Sequence, residues 1–373
     1  MSPQRILHLY SNHKWTGPAD HALNLAAWLN TREDVKTFFA CGHRRGVQNH
    51  LYQKACRRNL DFVNGLFLNK HLSWKIFPDM HSLKKIIAGK QVNLIHCHQD
   101  NDALTAVLAG FGNRLIRTCY DGEPSPLNVR QRFVFHRTAK IMTASSKLKT
   151  HLAAIFPDKD IQQVDIPVDP QRFRPLDKSE RLLAEFGITA GTPVGGIVAR
   201  VQKHRKFSLL LDAIEQVIEV IADCKFLIVG RGTHIDTVAR QPVIRRGLDK
   251  HVIFTGYRQD DYRDVINLFD FKIFLVPGSD GSCRAAREAL ACGKPLIATR
   301  KGILPELIRN GETGFLIDEK PADLARAMIT MITERDFRRR CSRAARQYAE
   351  TILSPERYLR KVVACYDSLS KPS

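Results

Sequence analysis

Phe274-Leu-Val-Pro-Gly-Ser-Asp-Gly-Ser-Cys-Arg-Ala-Ala-Arg-Glu-Ala-Leu-Ala-Cys-Gly-Lys-Pro-Leu-Ile-Ala-Thr299 decides the fold of this chain. Phe271 to Val276 is a short apolar run suited to a strand buried on both faces, and Pro277-Gly278 with Gly281 ends it in a turn. Ser282 stands where a helix N-cap is expected, and the small residues Ala285, Ala286, Ala289 and Ala291 let that helix pack closely. Gly293 supplies a left-handed exit and Pro295 prevents continuation. The segment therefore reads as strand, glycine loop, helix and strand, with carboxylates at Asp280 and Glu288. Unpaired N–H groups at such a helix start suit a phosphorylated ligand, and a carboxylate about two turns in suits ribose hydroxyls.

Outward from this unit, strands and helices alternate twice over, which predicts two α/β halves with mainly parallel sheets. In the first half the expected strands are Ile6–Tyr10, Val35–Ala40, Asn93–Cys97, Leu115–Cys119 and Lys140–Ala144, with a last extended segment at 163–167. A polar loop through Gly17 leads to a helix from about Asp20 to Leu29, whose Ala22, Leu25, Ala26 and Leu29 recur at helical spacing. In the second half strands are expected at 194–199, 225–229, 251–254, 271–276, 295–298 and 314–317, and helices at 206–221, 261–268, 282–292 and 321–333. Residues 337–351 and 355–369 read as a helical tail. The domain reading is 1–175 and 176–354, with 355–373 returning to the first domain.

The chain has 373 residues, with 58 Lys and Arg against 38 Asp and Glu, a net charge of +20. Such an excess points to polyanionic partners. Residues 1–35 are balanced, whereas residues 36–90 carry eleven Lys or Arg against only Asp61 and Asp79. Nine cysteines are scattered without a C-x-x-C pair, which fits buried thiols in a reducing cytoplasm. Met1-Ser-Pro-Gln-Arg5 leads directly into a strand, so no signal segment is expected, and no apolar run approaches the ~20 residues that span a bilayer.

The quoted segment resembles the donor-binding region of family 4 glycosyltransferases, in which an acidic residue in a glycine loop meets the donor sugar and a glutamate eight residues later holds the ribose. Asp280 and Glu288 match that pair, with Asp280 where the family usually has glutamate. The flanks Ala289–Thr299 and Pro305–Leu316 follow in the family's order and spacing. The resemblance extends over nearly the whole chain and is loosest between residues 40 and 90. It implies the glycosyltransferase-B architecture, two Rossmann-like doubly wound domains facing each other across a cleft, with acceptor bound mainly to the first and sugar nucleotide to the second.

A departing diphosphate gathers negative charge and needs preorganised cations. Arg200 follows the strand 194–199 and matches the family's arginine. The family's Lys-Gly pair falls on Arg205 and Lys206, and either could reach phosphate. Gly230-Arg231-Gly232 resembles the family's Val-Gly-x-Gly turn, while a dinucleotide fingerprint would need glycine where Ile235 stands. Tyr257 occupies the region where the base is contacted. By the same resemblance Asp280 with Gly281 and Ser282 orients the sugar, and Gly17 lies near the diphosphate. His98, Asp100, Tyr120 and Asp121 stand on the acceptor or sugar side, with Tyr120 where relatives place a histidine and Pro167 where glycine is usual.

Strand alternation puts His96 and His98 on one face, and Asp100-Asn-Asp102 mimics a D-x-D metal motif. Without distant paired ligands neither is read as a metal site, so metal-independent transfer with no cofactor is expected. Lys70-His-Leu-Ser-Trp-Lys-Ile-Phe77 mixes cations with rings in the manner of a lipid interface; a half-buried helix with a wet basic face competes evenly.

The resulting expectation is a cytoplasmic, retaining transferase that moves a hexose-like sugar from a nucleoside diphosphate to a hydroxyl of a lipid-linked or cell-surface glycan precursor, as in lipopolysaccharide or polysaccharide synthesis. Residues 36–90 would dock it on the anionic inner face of the cytoplasmic membrane. A catalytically silent relative serving as an interaction subunit, a nucleotide-sugar epimerase and a basic nucleic-acid-binding protein are the rival readings. Nucleic acid is not the expected partner, because helix-turn-helix, zinc and stacking motifs are missing.

Overall fold

The computed structural model describes residues 3–43, 48–277 and 282–370. Contacts divide the chain into two compact units. The first comprises residues 1–166, 280–282 and 355–373, and the second residues 167–279 and 283–354. The break at Ile166 precedes the expected boundary at residue 175.

The first unit is built on a seven-stranded parallel sheet. In chain order its strands are β1 (Gln4–Tyr10), β2 (Val35–Cys41), β3 (Asp61–Phe62), β4 (Leu94–Cys97), β5 (Leu115–Cys119), β6 (Lys140–Thr143) and β7 (Asp160–Gln163). Their spatial order is β3-β2-β1-β4-β5-β6-β7. Two-residue β3 carries no sequence signal, and β7 lies three residues before the expected extended segment, because edge strands need no long apolar run. Helix Gly17–Leu29 begins earlier than expected: Thr16 caps it through its side chain, and Pro18 fits the first turn, where its missing N–H costs nothing.

Alternation along β1 sends Leu7 and Leu9 to one core, shared with Phe38, Ile95 and Cys97. Tyr10 goes to the opposite face with Ala22, Ala26 and Phe39. The final helix, Pro355–Ser370, belongs to this unit. Its Tyr358, Val362, Cys365 and Tyr366 recur at helical spacing and are all buried. On the same helix Lys361 pairs with Asp165 at 2.8 Å.

The second unit holds a six-stranded parallel sheet of β8 (Val194–Val198), β9 (Lys225–Val229), β10 (Val252–Gly256), β11 (Phe271–Phe274), β12 (Leu296–Thr299) and β13 (Gly314–Ile317). Their spatial order is β10-β9-β8-β11-β12-β13. Strands covered on both faces are apolar throughout. Val194-Gly-Gly-Ile-Val198 departs from that rule because aromatic rings lie against it: a Cβ on Gly196 would sit 2.3 Å from the Phe269 ring. Helix Phe207–Val220 buries Leu210, Leu211, Ile214 and Val217 in the core, with Phe226, Ile228 and Met328 as neighbours.

Because the Phe269 ring fills the space a side chain would need, Gly196→Ala should cost ~1–3 kcal/mol. A lowered midpoint in denaturant unfolding, with the slope unchanged, is the expected measurement.

Candidate active site

In open parallel sheets ligands bind outside the carboxyl ends of the strands, where the strand order reverses direction. In the second unit that reversal falls between β8 and β11, since β9 lies on one side of β8 and β11 pairs on the other. Arg200 emerges just past the end of β8 and is exposed. Helix Arg284–Ala291 follows β11. The sequence therefore delivers the expected cation and the expected carboxylate helix to neighbouring strand ends.

Arg205 closes a short 3-10 turn, Lys203–Arg205. Its Nη1 donates to the Val276 carbonyl at 2.7 Å, just beyond β11. Its Nε–H is buried with no partner among the described residues. Desolvation lowers the guanidinium pKa, and neighbouring Arg200 lowers it further, while Cys283 opposes the change. The Val276 contact places Arg205 at the start of the segment that leads from β11 to the Glu288 helix.

Lys206 behaves differently. It takes the left-handed conformation, φ 60° and ψ 36°, before helix Phe207–Val220, the geometry that makes glycine usual at this place. Its ammonium points to Glu319 at 3.6 Å, and Lys301 holds the other Glu319 oxygen at 2.6 Å. Of the two residues left open by the sequence, Arg205 is the one placed against β11 and Cys283.

Glu288 is buried and accepts from the Tyr262 hydroxyl at 2.9 Å, with Arg284 Nε at 3.5 Å. Lys272, fully buried on β11, donates to the Ala285 carbonyl. Burial pulls its pKa down to about 8, against the opposing charge of Glu288. Burial, with Glu288 adding to it, pushes the Tyr262 phenol well up. No local motif marks Tyr262, Arg284 or Lys272, and the alternation of β11 alone does not show a lysine turned inward.

Asp280 and Gly281 lie outside the described residues. Ser282 is buried but does not cap the helix: Cys283, in left-handed conformation at φ 52°, is the N-cap, with no side-chain cap bond. The helix starts at Arg284, two residues later than expected, because Cys283 takes a left-handed turn before it. Gly230 and Gly232 do occupy a tight approach. A Cβ on Gly230 would meet the Ala199 carbonyl at 2.1 Å, and one on Gly232 the Val201 carbonyl at 1.8 Å. Tyr257 is exposed, with the Arg231 guanidinium 4.9 Å from its ring centroid.

In the first unit the corresponding reversal lies between β1 and β4. Gly17 is the first residue of its helix rather than part of the preceding loop. Register places His8 opposite His96, so three imidazoles share one face with His98. His98 Nδ1 faces the Tyr120 hydroxyl at 2.8 Å, and His98 Nε2 faces His8 Nδ1 at 3.1 Å. His96 lies between the hydroxyls of Tyr366, at 2.6 Å, and Thr118, at 2.7 Å. Asp121 is exposed.

The expectation that no third ligand stands near His96 and His98 is corrected by His8: one nitrogen from each ring lies within 4.8 Å of the others. The rings stack, with centroids 4.3 to 5.4 Å apart and planes 14° to 32° from parallel. Both ring nitrogens of His96 and of His98 already face protein partners: Tyr366 and Thr118 for His96, Tyr120 and His8 for His98. The Asp100-Asn-Asp102 carboxylates are engaged by protein. Asp100 pairs with Arg117 and accepts from Gln131 at 2.9 Å. Asp102 accepts from the Ser11 and Gln99 amides, each at 3.0 Å, and burial raises its pKa to about 8.

Residues 179–348, nearly all of the second unit, match the family model for glycosyl transferases group 1. N-acetyl-alpha-D-glucosaminyl L-malate synthase of Bacillus anthracis is 27% identical over 68% of this chain. The lipopolysaccharide core mannosyltransferase LpsB of Rhizobium meliloti is 25% identical over 87% of this chain and 92% of its own length. By these matches the second unit is similar to glycosyl transferases group 1. The chain spans 64% of the length of the Bacillus anthracis relative, and 48% and 50% of two GDP-mannose-dependent mannosyltransferases. Anabaena HepE, solved in complex with UDP, aligns over 98% of this chain and 100% of its own with a TM-score of 0.81 at 17% identity. That likeness identifies the glycosyltransferase-B fold. Among the described residues no helix is long and apolar enough to cross a membrane.

The imidazole stack carries a pH dependence. Burial lowers the pKa of His8 to about 3, and those of His96 and His98 well below the usual imidazole value. Above about pH 6.5 both folded and unfolded forms are neutral; below it the unfolded chain takes up protons that the folded one excludes, so stability falls as pH drops toward 3. Each imidazole can contribute up to about 1.4 kcal/mol per pH unit in that window. Melting temperatures should decline from pH 7 to pH 4, and His8→Phe should make the decline shallower.

Proposed function

We propose that this protein is a retaining, metal-independent glycosyltransferase that moves a hexose-like sugar from a nucleoside diphosphate to a hydroxyl of a lipid-linked or cell-surface glycan precursor. The observation that carries the reading is Arg205, whose buried Nε–H has no partner among the described residues and whose Nη1 is anchored on the Val276 carbonyl, at the carboxyl edge where β8 and β11 meet. A half-buried cation with an unused donor at a switch point suits a diphosphate. The LpsB relative, matched along most of both chains, supports a lipopolysaccharide-type acceptor.

In this mechanism Arg200 and Arg205 balance the charge that develops on the departing diphosphate. Glu288, braced by Tyr262 and Arg284, holds the ribose, and Asp280 with Gly281 and Ser282 orients the sugar. The bond from the anomeric carbon to the diphosphate oxygen breaks while the acceptor oxygen bonds to the same face of that carbon. The acceptor proton passes to the departing phosphate oxygen. Gly230 and Tyr257 serve the nucleotide, while His98, Tyr120, Asp100 and Asp121 stand on the acceptor side. A cytoplasmic setting fits the nine cysteines, of which the structure pairs none.

Thermal stabilisation by GDP-mannose, UDP-glucose and UDP-N-acetylglucosamine, followed by turnover of the best binder, tests the reading. Arg205→Met should lower kcat by roughly 10²–10³-fold with the fold intact. Glu288→Gln should weaken donor binding by about 10–100-fold through loss of charge-assisted hydrogen bonds. Absence of stabilisation by the whole panel, or a Glu288→Gln variant with unchanged donor affinity, overturns it.

A further inference from the structure

Three of the large apolar side chains that face solvent lie within six residues of one another. Leu72 is 58% exposed, Trp74 71% and Phe77 68%. Isolated exposed hydrophobic residues are ordinary, whereas a cluster marks an interaction surface. Phe77 lies in the first turn of helix Ile76–Gly89, which buries Leu83 and Ile87 on its inner side. Its outer side carries the exposed His81, Lys84 and Lys85.

The cluster is held out by polar contacts beneath it. The Asp79 carboxylate accepts from the Phe67 and Leu68 amides at 2.7 and 2.9 Å. Asn101 Nδ2 donates to the carbonyls of Asn69 and Lys70, at 3.0 and 2.8 Å. Asn69 Nδ2 donates to the Ser73 hydroxyl at 2.8 Å, and the Lys75 ammonium lies 4.3 Å from the Phe67 ring centroid. A loop pinned at so many points cannot fold its rings back into the core.

Charge selects the occupant. From Phe62 to Gln99 the chain has five lysines and a single acidic residue, Asp79. That residue is buried and satisfied by backbone amides, so it does not offset the lysines at the surface. Rings that enter the acyl boundary, with lysines around them at head-group level, are the chemistry of a monotopic anchor on an anionic bilayer. We propose that Leu72, Trp74 and Phe77 insert into the surface of an anionic membrane, with Lys70, Lys75, Lys84 and Lys85 on its head groups. The proposal deepens the reading of a lipid-linked acceptor but is argued from residues 67–101 alone.

The test is flotation of the full chain with vesicles of about 30 mol% phosphatidylglycerol in phosphatidylcholine, and with pure phosphatidylcholine, at low and high salt. The wild-type protein should float with the anionic vesicles, more at low salt, with a blue shift in tryptophan emission. A Leu72→Ser/Trp74→Ser/Phe77→Ser variant and a Lys84→Glu/Lys85→Glu variant should each bind roughly tenfold or more weakly. Both should keep wild-type melting temperatures and stabilisation by sugar nucleotide, which separates this outcome from failure of the transferase reading. No flotation of the wild type at low salt, or equal flotation of the serine variant, overturns the proposal. Concentration-dependent self-association that the serine variant abolishes, without vesicle binding, assigns the surface to a second copy and also overturns it.

Discussion

The pairing of β8 with β11 governs what this chain can bind. Had β9 and β11 formed on the same side of β8, the loops after β8 and β11 would leave from strands that are not neighbours. Because β11 pairs directly with β8, the Arg200–Arg205 turn and the helix carrying Glu288 leave the sheet side by side. The register needs a strand almost without side chains at its centre, which Gly195 and Gly196 provide by letting Phe226, Phe269 and Phe271 close over them. A packing requirement in the core thus sets the spacing of the charges at the rim.

Buried polarity is handled in opposite ways in the two units. In the second, charge is retained: Lys272, Glu288 and Arg284 offset one another, with Tyr262 as a neutral donor. At the carboxyl ends of β1 and β4 in the first, the central cluster is neutral. Three imidazoles are kept neutral by desolvation; the hydroxyls of Tyr366 and Thr118 hold His96, that of Tyr120 holds His98, and His98 in turn meets His8. A charged cluster answers a charged ligand; a neutral one fixes side-chain directions without attracting ions.

Most of the second unit was legible from its residues. Strands 194–198, 225–229 and 271–274 lie within the expected runs, the last ending two residues early, and helices 207–220, 262–268 and 321–333 fall within a residue of their expected bounds. The first unit was less so. Helices His50–Cys56, Ile76–Gly89 and Val129–Arg137 have polar, lysine- or arginine-rich faces that blur the helical period, and β3 is too short to signal itself. At the candidate site Arg200, Glu288 and the Arg205–Lys206 pair come from local motifs that resemble those of family 4 glycosyltransferases. Residues that matter through pairing have no such motif: His8 meets His96 only by register between strands, and Lys272 meets Ala285 only when the helix folds over β11. Ser282 suits a cap by residue type, but the left-handed turn at Cys283 moves the cap one residue on.

The Tyr366 hydroxyl reaches His96 across 270 positions of sequence. During synthesis at ~5–20 residues per second, the strands β1 to β7 leave the ribosome long before the helix that covers them. The second unit, interrupted in its contacts only by residues 280–282, is complete once residue 354 has emerged. Order of emergence and order of completion are therefore reversed. The half that is made first must wait, with its histidine face uncovered, until helix Pro355–Ser370 arrives.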